Sequence, residues 1–176
     1  MGTILRKLED RDVAAMLEWM HDEAVAKNFR FDFLSMTEER AKNFIATSFT
    51  EDNQHFAIVD EADNYLGTIS LKNISSTDSN AEYAIVVRRK FWGTGYAKKA
   101  TEAILDYAFN ELHLHKIYLN VLDENVRANK FYQKCGFTYE GRFVEHVRLP
   151  RRGGGYGNLN WYAMIRNKTS GEDEFS

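Results

Sequence analysis

The feature that most constrains the fold of this chain is a strand, a glycine-containing turn, a long helix and a second strand that follow one another directly. Residues 81–87 end in four apolar residues, which is typical of a strand covered on both faces. Residues 96–112 repeat apolar side chains at helical spacing, and residues 116–121 are strand-like again. This order predicts a βαβ crossover, so the two strands should be parallel neighbours with a ligand near their carboxyl ends.

The flanking segments predict further strands and helices around this crossover. Two segments rich in β-branched and aromatic residues are separated by turn residues at 60–64, which favours an antiparallel hairpin. Thr37 and Asn125 are expected to cap helices, and Gly136 to end one. Further strands are expected at 4–8, 55–59, 65–71, 137–147 and 159–165, and further helices at 13–20, 37–49 and 126–135.

Composition limits the class of protein. The 176 residues are 44% hydrophobic and 28% charged with a net charge of -3, which fits one globular domain and gives no general attraction for nucleic acid. We expect a single domain over residues 1–166 and a flexible tail over residues 167–176. A lone cysteine, Cys135, and the absence of a signal peptide or a run of about 20 apolar residues favour a cytoplasmic protein without a membrane span.

The turn between the central strand and the long helix has the properties of a phosphate-binding loop. Gly93 and Gly95 can adopt backbone angles that let successive N–H groups converge on one anion, and the helix adds its positive end. Basic residues surround the turn, although the first turn of a helix normally disfavours cations. A solvated basic turn is the alternative interpretation. These cations are Arg88, Arg89, Lys90, Lys98 and Lys99.

Two motifs make the chain resemble the GNAT superfamily of N-acetyltransferases. Lys90-Phe91-Trp92-Gly93-Thr94-Gly95 resembles the coenzyme A signature of that family, with Lys90 where Gln or Arg is common. Residues 125–137, with the sequence NVRANKFYQKCGF, resemble its second conserved segment. The resemblance implies acetyl-CoA as cofactor, bound by Ile85, Val86, Val87, Lys90, Phe91, Trp92, Gly93, Thr94, Gly95, Tyr96, Ala97, Asn125 and Ala128.

The resemblance also implies an α/β fold of the GNAT type. It would have a mixed, mostly antiparallel central sheet of about seven strands flanked by helices. One parallel strand pair would splay apart, with the pantetheine arm of the cofactor lying in the splay. Main-chain N–H groups near residues 85–87 could receive the thioester oxygen if the strand bulges there.

Attack of an amine on a thioester needs a proton acceptor for the amine and a proton donor for the thiolate. Glu82, on the central strand, is the candidate base, and an ion pair at the strand edge is the alternative. Tyr132 is the candidate acid in the position that the family resemblance indicates, and an apolar helix stripe also explains it. Cys135 is expected to pack rather than react.

The acceptor is expected to be the primary amine of a small molecule. Residues 16–22 resemble acetyltransferases of amino-sugar nucleotides, and an enzyme that modifies protein amino termini is the alternative. A non-catalytic acyl-CoA sensor is a third hypothesis, and nucleic-acid binding through Arg148, Arg151 and Arg152 is disfavoured by the acidic balance.

No metal is expected, because His113 and His115 lack a completing ligand pattern. The protein is expected to be a monomer or a homodimer. The candidates for the acceptor side are Trp19, His21, Phe29, Phe31 and Phe33. Core packing explains the aromatic residues among them equally well.

Overall fold

The computed structural model describes residues 4–149 and 154–166. The predicted flexible tail lies outside these residues, as do Arg151 and Arg152. The strands are β1 (Leu5–Lys7), β2 (Gln54–Val59), β3 (Tyr65–Ser75), β4 (Asn80–Val87), β5 (Lys116–Leu122), β6 (Thr138–Leu149) and β7 (Gly155–Ile165). The helices are α1 (Val13–Met20), α2 (Glu23–Ala26), α3 (Glu38–Ala46), α4 (Tyr96–Asp106) and α5 (Val126–Lys134).

The seven strands form one sheet in the order β1-β2-β3-β4-β5-β7-β6. The β4–β5 pair is parallel and the other neighbours are antiparallel. This confirms the predicted mixed, mostly antiparallel sheet with one parallel pair and the predicted hairpin of β2 and β3. The crossover through α4 is what brings β5 beside β4 in the same direction.

The parallel pair separates along its length. Cα pairing of β4 with β5 ends at Glu82 and Tyr118, although β4 continues to Val87 and β5 to Leu122. On its other side, β4 pairs with β3 without a register shift from Gly67 to Lys72. The two strands therefore diverge toward their carboxyl ends and leave a cleft.

Helices cover the two faces of the sheet and divide the core into separate clusters. On one face, α4 and α5 bury Ile104 and Tyr132 against Tyr83 of β4. On the other face, α1 and α3 bury Met16 and Ala41 in a cluster with residues of β2 and β3. Apolar burial on both faces of the sheet holds β4 in place beside the cleft.

Local signals account for the ends of the two helices beside the cleft. Gly95 precedes α4 with φ +89, a conformation that favours glycine. The Ala128 N–H donates to Asn125 Oδ1 at 3.2 Å at the start of α5, and Gly136 follows with φ +91. The predicted Asn125 cap and Gly136 stop are thus confirmed.

Two sequence expectations differ from the structure. The α-helix from Tyr96 ends at Asp106, and residues Tyr107–Glu111 wind as a wider π-helical turn instead of continuing to residue 112. Ala84, Ile85 and Val86 are only partly buried, because the splay opens one side of β4 to the cleft. In the described part of the chain, no helix is long and apolar enough to span a bilayer.

Candidate active site

A cavity of about 360 Å³ occupies the splay between β4 and β5. The glycine turn before α4 borders one end, and Glu82 on β4 borders it at the point where the strand pairing ends. Residues of α5 and of the segment after α2 complete the walls. The topology thus brings sequence-distant segments around a single elongated space.

Most of the sequence-predicted site residues line this cavity. They are Glu82, Ile85, Val86, Val87, Phe91, Trp92, Gly93, Gly95, Ala97, Asn125, Ala128 and Tyr132. Lys90, Thr94 and Tyr96 do not line it. Thr94 Oγ1 donates to the Phe91 carbonyl at 2.6 Å, and Tyr96 Oη donates to Glu61 Oε2 at 2.9 Å, so both hydroxyls are directed elsewhere. Cofactor contact by these residues stays a prediction.

The glycine turn has a geometry suited to an anion. Gly93 and Gly95 both have positive φ, at +78 and +89, and both are exposed. No heavy atom lies within 4 Å of the position that a Cβ would take at either glycine. The free main-chain N–H groups at the start of α4 lie directly after this turn, where the helix dipole favours negative charge.

The basic residues around the turn differ in their contacts: two of them lie beside Glu18 of α1, and another is exposed on α4. Arg88 forms an ion pair with Glu18 of α1 and also donates to the Tyr65 carbonyl at 2.8 Å. Lys90 Nζ lies 3.7 Å from the same Glu18 carboxylate. Lys98 lies in the first turn of α4, exposed, with its ammonium 3.8 Å from Glu102. Arg88 therefore joins the sheet to α1, and this contact differs from the predicted ring of cations around a phosphate.

Tyr132 lies in an aromatic wall of the cavity. Its ring packs edge-on against Tyr83 at 5.9 Å between centroids and is 8% exposed. Burial raises the pKa of the Tyr132 phenol, a nearby Cys135 raises it further, and the Arg127 cation lowers it. The phenol is therefore protonated at neutral pH, and Tyr132 is one of the residues that line the cavity.

Glu82 is held by two neighbours at the wall of the cavity. Lys72 Nζ donates to Glu82 Oε1 at 2.9 Å, and Asn73 Nδ2 donates to Glu82 Oε2 at 2.9 Å. The Glu82 side chain is 19% exposed and the Lys72 side chain is 34% exposed. The ion pair that the sequence left as the alternative is present, and Glu82 is also one of the residues that line the cavity.

The main chain of β4 offers hydrogen-bond donors to the cleft without a bulge. The Arg88 N–H donates to the Leu66 carbonyl on β3 at 2.9 Å. Because bonded and non-bonded pairs alternate in an antiparallel ladder, we infer that the N–H groups of Ile85 and Val87 point away from β3. Beyond Glu82 they face the space that β5 vacates. The regular pairing also shows that the bulge considered on the basis of the family resemblance is absent from this stretch of β4.

Sequence reasoning missed several residues of the cavity wall. The Arg127 guanidinium lies 3.3 Å from the centroid of the Trp92 ring, which joins α5 to the glycine turn. Lys72 and Asn120 come from β3 and β5. Their positions depend on strand pairing across the sheet, and the local pattern around each of them gives no signal of it.

The aromatic residues proposed for the acceptor side differ in burial: Trp19 lies in the core, Phe29 and Phe33 are partly buried against it, and Phe31 is 49% exposed. Trp19 is 3% exposed and packs edge-on against Phe33 at 4.9 Å, while its indole N–H donates to Tyr65 Oη at 3.0 Å. His21 Nε2 lies 2.8 Å from the Met36 carbonyl. Only Phe29 of this group lines the cavity, together with its neighbours Asn28 and Arg30.

Comparison with known proteins identifies the class. The family model for the acetyltransferase (GNAT) domain matches residues 3–138, which is more than half of the chain. The chain therefore belongs to the GNAT family of acetyl-CoA-dependent N-acetyltransferases. The predicted resemblance, fold class and cofactor are confirmed at this level.

Among proteins with similar sequences is spermidine N(1)-acetyltransferase of Vibrio cholerae, 38% identical over 99 residues. That alignment covers 56% of this chain and 57% of the Vibrio protein, so it spans just over half of that enzyme. An N-acetyltransferase called p20 from Bacillus licheniformis is 28% identical over 152 residues, covering 84% of this chain and 85% of that protein. The crystal structure of the Vibrio spermidine N-acetyltransferase with CoA and spermine superposes with a TM-score of 0.81. It is 26% identical over 92% of this chain and 94% of its own.

Proposed function

We propose that this protein transfers the acetyl group of acetyl-CoA to the primary amine of a polyamine such as spermidine or spermine. One observation carries the catalytic part: a single cavity joins the exposed glycine turn to the Tyr132 phenol and the Glu82 carboxylate. We also propose that residues 1–166 form one domain, because the strands from Leu5 to Ile165 belong to a single sheet. The polyamine part rests on the likeness to spermidine acetyltransferases described above.

The donor half of the site is proposed to use main-chain groups. The diphosphate would lie on the N–H groups that follow Gly93 and Gly95, and the pantetheine arm would run into the splay past Asn125 and Ala128. The thioester oxygen would accept from the N–H groups of Ile85 or Val87, which would stabilise the oxyanion as it forms. These donors are part of a paired strand, so little reorganisation is needed during the reaction.

The proton transfers are proposed for the two side chains at the acyl end. Glu82, directly or through a water molecule, would take the proton from the attacking ammonium. The amine nitrogen would then bond to the acetyl carbon as the carbon–sulfur bond breaks. Tyr132 would protonate the departing thiolate and recover a proton from the new amide nitrogen, directly or through water. In water a thiolate is a weaker base than a phenolate, so this transfer depends on the buried cleft, where desolvation makes the thiolate a stronger base.

An anionic amine, such as an amino-sugar nucleotide, is the second candidate acceptor. Arg30 and Lys72 both line the cavity, and Glu82 is the only carboxylate among the described residues of its wall. Two cations on this side would favour a carboxylate or phosphate beside the reacting amine. The similar proteins favour a polyamine as acceptor, whereas the positive charges of Arg30 and Lys72 in the cavity wall favour an anionic amine.

Thiol release in the presence of acetyl-CoA tests the function directly. A panel should contain spermidine, spermine, an amino-sugar nucleotide and a peptide with a free amino terminus. Saturable thiol release with spermidine is the expected result, and preference for the nucleotide would select the second candidate. Binding of coenzyme A without turnover across the panel would instead favour a sensor.

A glycine variant tests the donor site separately. Gly95→Val places a branched side chain at φ +89, which costs on the order of 1–2 kcal/mol and reshapes the turn. We expect calorimetry to show loss of coenzyme A binding, while Gly155→Val, at a position with nothing within 4 Å, binds normally. Normal binding by folded Gly95→Val protein would contradict the proposed location of the diphosphate.

A further inference from the structure

Lys72 occupies the acceptor side of the cavity. It lies on β3, where its Cα pairs with that of Glu82 on β4, so both side chains extend from the same face of the sheet. Its ammonium is 2.9 Å from Glu82 Oε1. Among the described residues that line the cavity, Lys72 is the only lysine.

The end of this side chain has the chemistry of the proposed acceptor. A lysine side chain and the end of a polyamine are both primary alkyl amines, with pKa values near ~10.4 for lysine in water. Glu82, oriented through its second oxygen by Asn73, therefore already holds an amine of the substrate type. A lysine stem is flexible and rotates freely at its end, so the amine can move toward the acyl group.

We propose that Lys72 is an internal acceptor, which bound acetyl-CoA acetylates when no external amine is present. This inference rests on the proposed function, because it uses the same donor and the same proton transfers. Lys72 Nζ loses a proton to Glu82 and its lone pair forms a bond to the acetyl carbon. The carbon–sulfur bond breaks and the thiolate takes a proton from Tyr132. The new amide nitrogen gives its second proton to the Tyr132 oxygen, directly or through water, and free coenzyme A leaves.

Acetylation of Lys72 changes the acceptor side of the site. The product is a neutral amide, which no longer forms an ion pair with Glu82. The carboxylate is then free to hold the ammonium of an incoming polyamine. Modified protein should therefore have a lower KM for spermidine than unmodified protein, with a smaller change in kcat.

Mass spectrometry of the intact chain, followed by peptide mapping, tests the proposal. The unmodified protein is incubated with acetyl-CoA alone, and the mass should rise by one acetyl group located at Lys72. The rate per molecule should not depend on protein concentration, because the reaction is intramolecular. Excess coenzyme A should slow it by competing for the cleft, and spermidine should slow it by competing for Glu82.

Lys72→Arg is the matched control. Arginine retains a cation beside Glu82, but its guanidinium stays protonated and is not an acyl acceptor under these conditions. The variant should lose the site-specific acetyl group and keep only the slow background on exposed lysines such as Lys98 and Lys99. Protein that gains no acetyl group, or gains it equally on those exposed lysines, would overturn the proposal.

A parallel thiol assay with spermidine separates this inference from the proposed function. Turnover of spermidine by protein that never modifies Lys72 would sink the internal acceptor and leave the enzyme intact. Acetylation of Lys72 without turnover of any external amine would support the internal acceptor and the donor site. The acceptor assignment would then be wrong.

Discussion

At the scale of single residues, Tyr132 combines a protonated phenol with a place inside the cleft. Burial raises its pKa, so the proton remains on the oxygen at neutral pH. A raised pKa weakens an acid, but burial in the same cleft also makes a thiolate a stronger base. Because burial raises the proton affinity of both groups, the proton can pass from the phenol oxygen to the thiolate without solvent.

Tyr132→Phe should lower kcat by about 10²-fold, which is typical for loss of a positioned acid. The ring packing against Tyr83 is retained, so coenzyme A binding and thermal stability should change little. Steady-state thiol release and calorimetry measure the two effects. Tyr139→Phe, at an exposed tyrosine that does not line the cavity, is the control. Full turnover by Tyr132→Phe would exclude the proposed acid.

His55 predicts a pH dependence of stability. Burial lowers its pKa to about 4, with a further lowering by the Lys72 cation, and its Nδ1 lies 2.7 Å from Ser70 Oγ. Below pH 6.5 the unfolded chain binds a proton at this histidine that the folded chain does not bind. Stability should therefore fall as pH falls from 6.5 toward 4, by roughly 2 kcal/mol at about pH 5 from this group.

Urea unfolding of the protein and of His55→Gln at about pH 7.5 and pH 5 measures this contribution. Glutamine can still form a hydrogen bond to Ser70 and does not titrate. The variant should lose less stability than the parent protein between the two pH values. Equal losses in both proteins would show that the histidine is not kept neutral by the fold.

At the scale of elements, the pairing of β3 with β4 requires a glycine at position 67. A Cβ there would lie 2.2 Å from the Val86 carbonyl oxygen and 2.9 Å from the Val87 Cα. Both are backbone atoms of the strand whose N–H groups face the cleft. A side chain at this position must push β4 away from β3.

Gly67→Ala should therefore destabilise the protein by about 2–3 kcal/mol and weaken coenzyme A binding, because it moves the cleft wall. Chemical denaturation and calorimetry measure the two effects. Gly155→Ala, on β7 with no heavy atom near its Cβ position, should stay within about 0.5 kcal/mol of the parent. A neutral Gly67→Ala would mean that β3 and β4 adjust more easily than their spacing indicates.

The elements beside the cleft differ in how far the sequence predicts them. Gly95 before α4 and Asn125 before α5 are local signals, because each acts on the turn that follows it. The sequence also predicts the parallel pair, since a strand, helix and strand in succession allow few other arrangements. The contacts of Lys72 with Glu82 and of Arg127 with Trp92 depend on strand register and helix placement, which local patterns do not encode.

At the scale of the whole molecule, the sheet has two parts that meet at the parallel pair. Strands β1 to β4 form one part, and β5, β7 and β6 form the other. Cα pairing between them extends only over Asn80–Glu82 and their partners Lys116, Ile117 and Tyr118. Past this junction, Arg127 of α5 contacts the Trp92 ring across the mouth of the cleft.

This arrangement predicts where a bound cofactor changes the dynamics of the protein. The N–H groups of Ile85 and Val87 have no strand partner on the cleft side, so they should exchange hydrogen faster than those of Ala84 and Val86, which pair with β3. A pantetheine arm in the splay would shield or bond these donors and join the two parts of the sheet. Hydrogen exchange measured by NMR should therefore slow most at Ile85 and Val87 when coenzyme A is added.

The central pairs of β2 with β3 serve as the reference, because they lie away from the cleft and should change little. Uniform slowing throughout the sheet would indicate only general stabilisation by a ligand, and unchanged exchange at Ile85 and Val87 would place the arm elsewhere.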